Sequence, residues 1–230
     1  MEGALEQQRR FMADASHEMR TPTATLRAEA EVTLARAHRT ESEYRESVQV
    51  MLQAGQRLGR LVDDLFLLAR VDAGHLALRV EPVYLEEIVH DAVRAVVQVG
   101  ERRGVTVELR QMTQAPFRGD HLLLDRLLLN LLDNAIKHTP AGGAVVLELR
   151  ASADGPTLVV RDTGSGIPEE LLGRIFERFY RVERDRSRER GGSGLGLAIV
   201  KHLCQALQVT LTVRSKLGEG SEFTARFPRV

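Results

Sequence analysis

Residues 16–22 read SHEMRTP, and within that run His17 offers a nitrogen nucleophile. An imidazole with an unperturbed pKa of about 6.5 is mostly neutral at pH 7, so a ring nitrogen can attack phosphorus without a large share lost to protonation. Glu18, directly after it, can accept the proton of the other ring nitrogen or hold it by hydrogen bond. Much later the chain reads NLLDNAIKHT over residues 130–139. On a helix that spacing projects Asn130, Asn134 and Lys137 from one face, with His138 following. Carboxamide oxygens suit a hard cation: Mg²⁺ takes a few protein oxygens, retains waters and fills its shell with phosphate oxygens. Lys137 would balance phosphate charge. Asparagine is a poor helix former, so two of them in a leucine-rich segment need a reason.

Two glycine-rich runs follow, DTGSGIP at 162–168 and GGSGLGLAIV at 191–200. Asp162 ends a strand pattern, where a carboxylate can accept from an amino group, and Gly164 and Gly166 let backbone approach a flat ligand. Taken alone, that run reads as a turn. Gly194 and Gly196 open a helix whose unpaired amides and positive end favour phosphate. No GxxxxGK[ST] run occurs, and the GxGxxG spacing from Gly194 fails at Ile199, which disfavours P-loop and dinucleotide readings.

In order and spacing these runs resemble the catalytic core of a sensor histidine kinase. SHEMRTP is similar to the family's phosphoacceptor box, with Met19 and Thr23 standing where leucine is usual. The resemblance implies that His17 is phosphorylated from ATP, that Glu18 assists, and that Thr21 supports a reverse, phosphatase reaction. The later runs resemble the N, G1, F and G2 boxes of the ATP-binding domain, with Phe176, Phe179 and Tyr180 as the F box. By that resemblance ATP is held by Asn130, Asn134, Lys137, His138, Asp162, Gly164, Gly166, Ile167, Phe179, Tyr180, Arg181, Gly192, Ser193, Gly194, Leu195, Gly196 and Leu197, with Mg²⁺ on Asn130 and Asn134. Asp162 would take the adenine. Residues 181–192, with five arginines against three acids, would form an ATP lid, and GEGS at 218–221 a final glycine turn. The next phosphate acceptor would be an aspartate on the receiver domain of a response regulator docking near Arg27, Ala28 and Glu31. Two rivals keep the ATP fold: a topoisomerase- or chaperone-type hydrolase with Asp133 as catalytic acid, and a degenerate kinase acting as a dimeric scaffold.

The elements that must position these residues follow from periodicity. One helical pattern spans about 5–38 and a second about 41–72. Phe11, Ala15, Met19, Pro22, Leu26, Ala30 and Leu34 recur along the first; Tyr44, Val48, Met51, Leu52, Leu58, Leu61, Val62, Leu65 and Leu68 recur along the second. His17 falls off that stripe and should face water. Two helices alone cover little, so a homodimer closing a four-helix bundle is expected. The remaining chain alternates strand patterns (76–80, 105–109, 145–150, 158–161, 210–214, 222–227) with helical ones (85–101, 121–137, 169–174, 195–206). The fold class is therefore α+β: a helical hairpin over residues 1–73, then a second domain over 74–230, hinged near 72–75, which the resemblance implies is an α/β sandwich of the histidine kinase, topoisomerase and chaperone ATPase type.

Composition sets outer bounds. Lys plus Arg equals Asp plus Glu at 32 each, which gives no reason to expect nucleic acid. Cys204 is the only cysteine, excluding an internal disulfide and a cysteine-based zinc site. No apolar run approaches the ~20 residues of a membrane helix. The abrupt charged helical start suggests a soluble piece cut from a longer protein, and the resemblance implies the cytoplasmic portion of an often membrane-anchored sensor.

Overall fold

Helix α1 runs Glu2–Ala35 and helix α2 runs Glu41–Asp72. The computed structural model describes residues 2–36, 38–182 and 192–229. It divides into two compact units, Met1–Arg70 and Val71–Val230.

In the first unit the entry to α2 is set by a capping box. The Thr40 backbone N–H donates to Glu43 Oε2 at 2.7 Å, and the Glu43 N–H donates back to the Thr40 hydroxyl at 3.3 Å. The Thr40 N–H, together with the Thr40 hydroxyl, which donates to the same Oε2 at 2.9 Å, holds the Glu43 carboxyl below its ordinary pKa. Ser47, Ala54, Leu61 and Leu68 are buried on α2 at steps of seven, and Ala15 and Pro22 repeat the step on α1. A seven-residue period is the signature of a narrow helix–helix seam. The stripe read from the sequence is wider than this seam. Leu34 is 85% exposed, and Tyr44, Val48 and Leu52 are exposed at 43%, 56% and 58%. One hairpin can bury a single line of each helix, so the flanking apolar residues stay uncovered. α1 also ends at Ala35, short of the expected 38. It passes through Pro22, which lacks the N–H that would pair with the Glu18 carbonyl.

The second unit is built on a five-stranded sheet in the order β2 (Thr106–Met112), β4 (Ala144–Arg150), β5 (Thr157–Asp162), β7 (Gly220–Arg226), β6 (Thr210–Lys216). β2 and β4 are parallel; the other pairs are antiparallel. A two-stranded ribbon, β1 (Glu81–Tyr84) against β3 (Pro116–Gly119), stands apart from it. Helices α3 (Leu85–Arg102), α4 (His121–His138) and α5 (Gly196–Ala206) supply the second layer, with α4 packed against both others. Val145, Leu147, Leu149, Val160 and Phe223 point from the sheet into this layer and are almost fully buried, as are Leu127, Leu131 and Leu132 of α4 and Ile199 and Leu203 of α5. Each such side chain contributes about 1.5–3 kcal/mol of burial. This sandwich of helices on one sheet face is the α/β layer expected.

Three expected elements differ. Residues 76–80 alternate like a strand but form none, because the Arg79 N–H donates to Asp120 Oδ2 at 2.9 Å instead of to a neighbouring strand. The same carboxylate caps α4, its other oxygen accepting from the Leu123 N–H at 3.2 Å. β1 and β3 pair with each other at 81–84 and 116–119, where none of the expected strands falls. Residues 169–174 form one 3₁₀ turn, Glu169–Leu171, followed by turns through Gly173. Residues 183–191, most of the expected lid, lie outside the described residues.

Candidate active site

On α1 of the first unit His17 is exposed, two residues past buried Ala15. Arg20, one turn on, brings Nη1 to 3.4 Å from His17 Nδ1. A guanidinium has no acceptor, so in this contact the ring nitrogen can only accept. Glu18 is half-buried against α2, its carboxylate 3.8 Å from the Arg57 guanidinium. Glu18 thus has an arginine partner that its sequence position does not announce. Thr21 is exposed. Arg27 and Glu31 form an exposed ion pair at 2.6 Å, four residues apart on the same helix.

In the second unit α4 presents a buried leucine face to the core and, beside it, half-buried Asn130, Asn134 and Lys137. Asn130 Nδ2 donates to the Arg126 carbonyl at 2.7 Å. That bond orients the amide and leaves Oδ1 as the outward acceptor. A Cβ placed on Gly196, the first residue of α5, would stand 3.1 Å from this Oδ1. The glycine therefore lets the start of α5, which has no side-chain cap, pass close to this amide oxygen. Lys137 is ion-paired to exposed Asp133, the acid that the hydrolase reading would use. His138 is exposed and its carbonyl accepts the Ser165 N–H at 3.1 Å.

Asp162, at the end of β5, is 4% exposed. Its Oδ1 accepts the Gly164 N–H at 2.8 Å and the Ser221 N–H at 3.3 Å. Burial raises its pKa, and those two bonds oppose the rise. The glycines after it make room for the protein's own backbone: a Cβ on Gly164 would meet the His138 carbonyl oxygen at 2.5 Å, and one on Gly166, at φ +67°, would meet that of Lys216 at 1.9 Å. They seat the DTGSGIP loop between α4 and the β6–β7 turn, which is a different reason from close approach of a ligand. Ile167 is held there by its N–H to Ser215 Oγ at 2.8 Å, and that hydroxyl lies 2.9 Å from Ser221 Oγ. Ser215 and Ser221 are the support that sequence reasoning missed; the GEGS turn was the available signal.

At the other side, Phe179 has φ +60° and donates its N–H to the Gly194 carbonyl at 2.9 Å. Leu195 is fully buried, Leu197, Phe176, Tyr180, Arg181, Gly192 and Ser193 are half-buried, and Arg174 lies over the Tyr180 ring at 4.4 Å. α4, the strand end at Asp162 and the start of α5 therefore converge within one unit. The donor set fits a magnesium nucleotide: a neutral, oriented amide oxygen beside the uncapped amides that start α5, and a buried carboxylate.

Comparison with known proteins agrees with this geometry. Residues 7–74 match the model of the His Kinase A (phospho-acceptor) domain, and residues 119–230 that of the histidine kinase-, DNA gyrase B-, and HSP90-like ATPase. The sensor histidine kinase RppB of Synechocystis sp. is 37% identical over 98% of this chain and 50% of its own length. Among solved structures, Acinetobacter baumannii histidine kinase AdeS superposes with a TM-score of 0.74 at 25% identity over 92% of this chain and 97% of its own. A mycobacterial sensor histidine kinase, MprB, does so with a TM-score of 0.54 at 33% identity over 65% and 99%. The chain belongs to the sensor histidine kinases of two-component systems, with a phosphoacceptor domain and an ATP-binding domain. It spans about half the length of the curated relatives it matches.

Proposed function

We propose that this chain is the catalytic core of a sensor kinase that phosphorylates its own His17 from ATP and passes the phosphate to an aspartate of a response regulator. The observation that carries the reading is the pairing, in one chain, of an exposed His17 on the phosphoacceptor-matched helix with an oriented Asn130 amide beside the uncapped, glycine-started α5. In the transfer a bond forms between an imidazole nitrogen and the γ-phosphorus while the bond from that phosphorus to the β,γ-bridging oxygen breaks, releasing ADP. Glu18 takes the proton of the second ring nitrogen, which requires it to exchange Arg57 for His17. Asn130 and Asn134 would hold Mg²⁺, which when bound supplies charge neutralisation on the phosphates. Asp162 accepts from the adenine amino group, and the amides at the start of α5, with Gly194 and Gly196, face the phosphates. Thr21 serves the reverse, phosphatase reaction.

The exposed stripe of Tyr44, Val48 and Leu52 on α2 supports a homodimer in which a second hairpin covers it. We assign residues 1–73 to dimerisation and phosphoacceptance and 74–230 to ATP binding, the whole acting in the cytoplasm. Among the described residues no helix is long and apolar enough to cross a membrane. Incubation with γ-labelled ATP tests the reading: acid-labile, alkali-stable label on the protein, absent from His17→Ala, is expected. Phosphate release without protein label would instead make it a hydrolase.

A further inference from the structure

Arg178 stands at a junction to which the reading above gives no role. It belongs to the second unit, as does Asp72. Its Nη1 donates to Asp72 Oδ2 at 2.7 Å and its Nη2 to Asp72 Oδ1 at 2.5 Å, a two-pronged guanidinium–carboxylate pair. Nη2 also lies 3.1 Å from Nε2 of His202, on α5. Since arginine can only donate, the ring nitrogen accepts, and His202 is neutral with its proton on Nδ1. Burial and the Arg178 charge favour that neutral form, with Lys201 acting in the same direction and Asp72 against it.

The next residue is Phe179, whose φ of +60° is unusual for a bulky side chain and persists only where the surroundings over-determine it. On one side its N–H is bound to the Gly194 carbonyl. Gly194, at φ +73°, lies so close that a Cβ there would meet the Phe179 Cα at 2.8 Å. On the other side stands the clamped Arg178. Two residues past Gly194 is Gly196, the residue facing Asn130 Oδ1. A continuous run of contacts therefore links Asp72 to Arg178, Phe179, Gly194 and the start of α5, while His202 ties the same guanidinium to the body of that helix.

We infer that Arg178 is a positioning residue for the nucleotide site: gripped by Asp72 and His202, it holds the Phe179 backbone and so sets the start of α5 against Asn130. The inference rests on the proposed nucleotide reading.

The test is a double-mutant cycle on the full 230-residue chain, reading ADP affinity by calorimetry with Mg²⁺ present. Asp72→Asn and Arg178→Gln are each expected to weaken ADP binding by about three- to thirtyfold, with the double variant no weaker than Arg178→Gln alone. Arg178→Lys, a point charge without the fork, should recover only part of the loss. Asp72→Asn is nearly isosteric, and its melting curve reports whether the unit is folded. A folded Asp72→Asn that binds ADP like the wild type overturns the inference, as do additive losses in the double variant, and both leave the nucleotide reading standing. A wild-type chain that binds no ADP overturns both.

Discussion

The Asn130 side chain donates through Nδ2 to the carbonyl of Arg126, one turn earlier on α4, at 2.7 Å. This bond decides which end of the amide faces Gly196, and it makes the orientation a property of the helix itself. Asn130→Ala is expected to weaken Mg²⁺-dependent ADP binding by about 10- to 100-fold, the loss of one oxygen ligand to a charged partner. Binding measured in excess chelator should change far less between the two proteins. Equal losses with and without Mg²⁺ would remove Asn130 from the metal.

Asp162 gives a prediction with two opposite signs. Burial raises its pKa above the ordinary 3.8 despite the bonds from Gly164 and Ser221. An adenine amino group needs the ionised carboxylate as acceptor, so ADP binding should fall as pH drops through that raised pKa. Stability moves the other way: the folded state holds this proton more tightly than the unfolded chain, so the Asp162 contribution to stability rises as pH falls through the same pKa and is complete below about 3.8. Asp162→Asn should flatten both dependences, read by calorimetry and by urea melts across the acid range. A binding profile that keeps its acid limb in Asp162→Asn would take the adenine away from this residue.

The parts legible in the sequence are those whose signal is local. Asn130, Asn134 and Lys137 share a face because helical spacing puts them there, and the T-x-x-E run at Thr40 starts α2 where its chemistry says it should. What could not be read depends on partners distant along the chain. Leu76, Leu78 and Val80 alternate as a strand does, yet Asp120 takes the Arg79 N–H and no ladder forms. Gly166 is needed because the Lys216 carbonyl lies where its side chain would be. The pairs Glu18 with Arg57 and Asp72 with Arg178 leave no periodic trace, since an ion pair specifies a distance and no spacing.

The Glu18–Arg57 pair leads to a prediction about rate. With Glu18 held at 3.8 Å from the guanidinium, it must leave Arg57 to serve the His17 ring. Arg57→Ala should therefore raise the initial rate of His17 phosphorylation by about threefold, since a pair this long and half-exposed is worth about 0.2–1 kcal/mol. Glu18→Gln should lower the rate by about 100-fold and make Arg57→Ala silent in that background. Single-turnover labelling at saturating ATP measures both. An Arg57→Ala effect that persists in Glu18→Gln would mean that Arg57 acts on something other than the base.

Cys204 reports on α5 from the inside. It is 2% exposed, and burial pushes its thiol up to about 12. The thiolate is the reactive form, so at pH 8 the folded protein should react with iodoacetamide at least about 100-fold more slowly than the unfolded chain. Labelling must then proceed through excursions that lift α5 from the sheet. Because the proposed phosphate site is the start of this helix, ADP with Mg²⁺ stabilises the docked form and should slow labelling in proportion to its occupancy. Intact-mass spectrometry over time, with and without nucleotide, follows the single cysteine directly. Labelling that ADP slows in the wild type but not in Asn130→Ala would tie the helix, the amide and the nucleotide to one site; nucleotide-independent labelling would separate them.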